Sequence, residues 1–73
     1  MDQKTMDLGV QMFAVMLGTT EDNSRLQSAI RAVISALTNN MPIKAKERIY
    51  NVKQYALNNL ERKAIDAFLA KFD

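Results

Sequence analysis

Residues 26–38 read LQSAIRAVISALT. At about 100° per residue, the α-helical period, Leu26, Ala29, Ile30, Val33 and Leu37 fall on one face. Gln27, Ser28, Arg31, Ser35 and Thr38 lie opposite. No strand-like alternation competes with this pattern. The stretch is an amphipathic helix that needs a neighbour to cover one apolar stripe.

Working outward, the same period recurs. The second helix is expected from about Glu21, after the capping signal Thr19-Thr20-Glu21-Asp22, where acids suit exposed N–H groups. Asn39-Asn40-Met41-Pro42 ends it, and Pro42 opens the next helix, since proline is tolerated in a first turn. That helix is expected to run to about Leu57, with Ala45, Ile49, Val52 and Ala56 on its inner face. Asn58 followed by Glu61 reads as a capping box. A fourth helix follows from about Leu60 to Phe72, with Ala64, Ile65, Phe68 and Phe72 inward. No glycine or proline interrupts residues 43–72, so the third and fourth helices are also readable as one long bent helix. The fold class is all-α, a small bundle of three to four short helices with short connections. Residues 1–73 are expected to form one helical domain.

The first helix, expected from Gln3 to Leu17, departs from this economy. Its core stripe is Met6, Val10, Phe13, Met16 and Leu17, and Gly9 allows a close neighbour. Gly18 after it suits a left-handed turn. Beside the core stripe lies a second apolar row, Leu8, Met12 and Val15. Only Lys4, Asp7 and Gln11 make a polar side. A helix apolar nearly all round is either the centre of a bundle or buried against a partner. Leu8, Met12 and Val15 are therefore the candidate partner-binding residues, for a second copy or another protein. Methionine adapts to many partner surfaces.

Composition limits the chemistry. The 73 residues include no cysteine, histidine or tryptophan. Thiol and imidazole nucleophiles, Ser-His-Asp triads and soft-metal sites are thereby excluded within this chain. No disulfide staples the fold. The carboxylates are assigned to caps and surface pairs, with Arg62 and Asp66 at four-residue spacing as one expected pair. No glycine-rich phosphate loop is present. No catalytic residue, cofactor or metal is expected, and the chain is read as a non-enzyme. A domain this small nets about 3–5 kcal/mol from its core, and self-association is a common supplement.

Charge is mildly basic, +2 overall. From Met41 onward seven Lys and Arg face four Asp and Glu, a net +3. Lys44, Arg48, Asn51 and Tyr55, with Arg62 beyond them, are the candidate nucleic-acid residues, because cations mixed with aromatics suit phosphate and base contact. Around the third helix, however, they lie on one flank of the core stripe. Lys46, Tyr50, Lys53 and Leu57 lie on the other, and Glu47 and Gln54 hold the outermost face. Flanking cations usually cover apolar surface with their stems, so nucleic acid is the alternative and protein binding the first reading.

The longest apolar run, Leu8 to Leu17, is ten residues interrupted by Gln11, against about 20 for a membrane span. Asp2 and Asp7 flank Lys4, unlike the basic start of a signal peptide. The expected location is the cytoplasm, with no membrane partner. The expected role is a small regulator, adaptor or inhibitor, a size class common among phage and plasmid accessory proteins.

Overall fold

The computed structural model describes residues 2–20, 24–55 and 57–72. Among the described residues four helices succeed one another: α1 (Gln3–Thr19), α2 (Ser24–Thr38), α3 (Pro42–Lys53) and α4 (Asn59–Leu69). A single 3-10 turn, Ala70–Phe72, follows. The bundle is all-α, and α3 and α4 are separate helices.

Helix α2 is the centre. It packs on both α1 and α3, and it buries Leu26, Ala29, Ile30, Val33, Ala36 and Leu37. Helix α1 is therefore not the central helix that its near-uniform apolarity allowed. It buries Met6, Gly9, Phe13 and Met16, while Val10 and Leu17 are half-buried. The clean stripe of α2 matches this position, because its polar residues occupy a narrow outer strip. From the other side, α3 contributes Ala45, Ile49 and Val52. Helix α4 contributes Ile65, Phe68 and Leu69. Leu69 takes an inner position not expected from the sequence, while Ala64 and Phe72 stay half-buried.

The helix ends follow local chemistry. The Asp2 carboxylate accepts the Thr5 N–H at 2.8 Å and caps α1. These hydrogen bonds from Thr5 hold the Asp2 carboxyl below its usual range. At the other end, the cap expected of Thr19 and Thr20 on α2 would be made to residues 21–23, which lie outside the described residues. The hydroxyls of the two threonines donate to the carbonyls of Met16 and Leu17, at 3.0 and 3.1 Å, and so finish α1. Glu21 and Asp22, the acids of the expected α2 start, lie outside the described residues, as does Ala56.

Between α2 and α3, Asn40 adopts φ 56°. The Asn40 N–H bonds to Leu37 O and the Met41 N–H to Ala36 O, the paired bonds of a Schellman ending. Asparagine tolerates this left-handed conformation. Gly18, by contrast, does not turn the chain. No described glycine has positive φ, and α1 runs through Gly18 to Thr19. A Cβ there would meet nothing within 4 Å. Gly18→Ala is accordingly expected to stabilise the chain by about 0.5 kcal/mol, through restricted unfolded-state freedom and helix propensity. A urea titration at low protein concentration checks the sign.

Helix α3 ends at Lys53, short of the expected Leu57. Gln54 and Tyr55 close it with N–H bonds to Asn51 O and Val52 O. The capping box then starts a new helix. Asn58 is extended (φ −74°, ψ 166°), its side chain accepts the Glu61 N–H at 2.7 Å, and Glu61 accepts the Asn58 N–H at 3.0 Å. The box satisfies two orphan donors reciprocally, which is why a chain without glycine or proline still breaks here.

Candidate protein-binding face

The outer side of α1 is built by helical spacing. Lys4, Leu8, Gln11 and Val15 are all exposed, and they fall within about 60° of one another around the helix. Leu8 is 48% exposed and Val15 69%. Ala14, Gly18 and Thr19 are exposed beside them. Met12 differs from its two companions: it is half-buried and packs against the core. Its place in the row is the inner edge, where it supports the face more than it presents it.

The side of α1 turned inward explains why the outer side is free. Gly9 faces Phe68 of α4, and a Cβ on Gly9 would lie 2.3 and 2.8 Å from the Phe68 ring and 3.0 Å from Leu37. The close approach expected at Gly9 is thus made by an aromatic ring. Phe68 also meets Phe13 edge-on at 6.2 Å and Phe72 at 5.4 Å. This cluster and α2, which packs along α1, lie on the inner side, while Leu8, Gln11 and Val15 on the other side are exposed.

One signal on this face goes beyond the apolar row. From Leu8 to Thr20 there is no Lys, Arg, Asp or Glu. Half of that stretch faces water, yet its outer positions are Leu8, Gln11, Ala14, Val15, Gly18 and Thr19. The charges of α1 gather at its N-terminal end, where Gln3 donates to Asp7 at 2.9 Å.

The structure distributes the candidate nucleic-acid residues differently. Lys44 and Asn51 are exposed on α3. Arg48 is half-buried and donates to the Ala32 carbonyl of α2 at 2.9 Å. Tyr55 is half-buried against the core. Arg62 donates to the carbonyls of Leu57 and Tyr55, both at 3.4 Å, and so ties the start of α4 to the linker. The expected Arg62–Asp66 pair does not form. Asp66 takes Lys53 at 2.6 Å instead, joining α4 to α3. An open groove of about 460 Å³ brings Asn51 and Tyr55 beside Ser24, Arg25 and Ser28 of α2.

Two exposed apolar residues escaped sequence reasoning. Ile43 and Leu60, each 78% exposed, sit in the first turns of α3 and α4. Neither belongs to a stripe, so periodicity gave no signal for them. Ile43 borders a cleft of about 330 Å³ with Pro42, Lys46, Lys71 and Phe72.

Among the described residues, no group of three His, Cys, Asp or Glu side chains is placed to hold a metal ion. Among the same residues, no helix is long and apolar enough to cross a membrane. No family model, curated protein or solved structure matches the chain, so the face rests on its own geometry.

Proposed function

We propose that this chain is a non-enzymatic binding protein of the cytoplasm. It acts as a small regulator, adaptor or inhibitor by protein–protein association through the outer face of α1, with Leu8 and Val15 as contacts and Met12 as their support. One observation carries this reading: Leu8 and Val15 are 48% and 69% exposed on a helix side that carries no charge from Leu8 to Thr20. A helix side that faces water ordinarily carries charged residues. Depletion of charge is instead the compositional mark of an interface centre.

Val15→Lys tests it. Val15 lies outside the core, so the substitution is expected to change folding stability by no more than about 0.5 kcal/mol. Association is expected to be lost, whether self-association followed by light scattering or retention of a partner protein from the source cell. A parent chain that stays monomeric and retains the same proteins as Val15→Lys overturns the reading.

A second reading places nucleic acid on Lys44, Arg48, Asn51, Tyr55 and Arg62. The groove beside Asn51 and Tyr55, with Arg25 on its rim, favours it. The bonds of Arg48 and Arg62 to backbone carbonyls weigh against it, because phosphate contact competes with them. Fluorescence anisotropy on duplex and single-stranded oligonucleotides decides. Binding must weaken with salt, by a log–log slope of about −0.9 per duplex phosphate contacted. No binding at low salt removes this reading.

A further inference from the structure

We infer that the occupant of the α1 face is a second copy of this chain, docked antiparallel through its own α1 about a two-fold axis that passes between Gln11 and Met12. This rests on the reading of α1 as the binding face and names its partner.

Three features of the face coincide in that one register. Antiparallel about this point, Leu8 lies opposite the partner's Val15, and Val15 opposite the partner's Leu8. The two exposed apolar side chains of each copy thus cover the two of the other, as an isologous contact requires. Gln11 falls next to the axis, where it meets the partner's Gln11. A primary amide carries both donors and an acceptor, so two of them satisfy each other across a two-fold axis. Lys4 then falls opposite the partner's Thr19, in the last turn of the partner's α1. That last turn has no basic residue of its own. Its carbonyl end carries partial negative charge, which a lysine complements.

Charge also argues for a second copy over a partner of strong charge. From Leu8 to Thr20 the face offers nothing for an acidic or basic surface to pair with. It equally holds no like charges that self-pairing would bring together. Ala14 and Gly18 add exposed positions with little or no side chain, which let helix backbones approach. An interface centred on one 17-residue helix from each copy is small. Interfaces below about 1,200 Å² in total are weak and transient, so association is expected at high protein concentration.

The absence of native cysteine makes the register directly measurable. Leu8→Cys and Val15→Cys are prepared separately, both at exposed positions that leave the core intact. Each is oxidised alone and then as an equal mixture. In the inferred register, position 8 faces position 15 of the partner. Like positions lie seven residues apart, or about 10 Å along the axis, beyond the roughly 7 Å that a disulfide spans. The expected result is a covalent dimer in the mixture and none in either variant alone, with the parent chain moving from monomer to dimer mass over a concentration series.

Covalent dimers of each variant alone, with none gained on mixing, mean parallel pairing and overturn the inference. So does a parent chain that is monomeric throughout the series. In that last case the protein-binding reading still stands if a different protein is retained by the parent and lost with Val15→Lys. The two failures are therefore separable.

Discussion

Phe68→Ala is expected to leave the chain largely unfolded at 25 °C. Phe68 is 4% exposed. It meets Gly9 of α1, Phe13 of α1 and Phe72 of the C-terminal turn together. Truncating a buried phenylalanine costs about 3–5 kcal/mol, from lost transfer energy and the cavity left behind. Each edge-to-face aromatic pair adds about 0.5–1.5 kcal/mol to what is lost. A domain of this size holds about 3–5 kcal/mol in all. The loss therefore equals the reserve. Far-UV circular dichroism should show most helicity gone, and urea titration should lack a cooperative native baseline. Phe72→Ala is the control, because Phe72 is half-buried and closes only the end of the cluster. A cooperative transition in Phe68→Ala, shifted no more than in Phe72→Ala, would show that α1, α2 and α3 stand without the α4 ring.

The second large effect comes from a single methyl group. Gly9→Ala is expected to destabilise the fold although alanine is the better helix former. Propensity favours the substitution by about 1 kcal/mol. Against it, the new Cβ overlaps the Phe68 ring at 2.3 and 2.8 Å and presses Leu37 at 3.0 Å. The ring is held by Phe13 and Phe72 on its other sides, so it cannot swing clear without opening the cluster. Overpacking of this kind costs about 1–3 kcal/mol, which exceeds the propensity gain over most of that range. A double-mutant cycle identifies the cause. In a Phe68→Leu background the overlap is removed, and Gly9→Ala should turn neutral or stabilising. Equal effects in both backgrounds would place the cost elsewhere. The contrast with Gly18→Ala is internal to one helix: the same substitution has opposite expected signs, decided by what stands in front of each glycine.

Much of the fold was legible because it is written at short range. The stripe of α2 and the inner faces of α1, α3 and α4 follow from spacing of three and four residues. The Asn58–Glu61 box is a four-residue signal, and it sufficed to separate α3 from α4. Even Gly9 was readable as a close approach. What failed were partners chosen across the chain. Asp66 was within helical reach of Arg62 yet pairs with Lys53, because Arg62 is drawn to the linker carbonyls. Arg48, a candidate for phosphate, reaches Ala32 sixteen residues away. Each was a choice between two chemically sound options, and local pattern ranks such options poorly.

The candidate face shows the same division. That α1 carries more apolar surface than one stripe needs, and that residues 8–20 carry no charge, are properties of the sequence alone. They follow from residue type and helical period, with no reference to the other helices. Whether that surplus sits at the bundle's centre or on its surface depends on which helix the others surround. Packing assigned the centre to α2, whose polar residues fit a narrow outer strip, and turned Phe68 onto Gly9. That placement buries one side of α1, draws Met12 half inward, and leaves Leu8 and Val15 in water. The sequence by itself determined that α1 has two apolar sides. The tertiary structure decided which of them is left uncovered, because only the arrangement of all four helices says where the core ends.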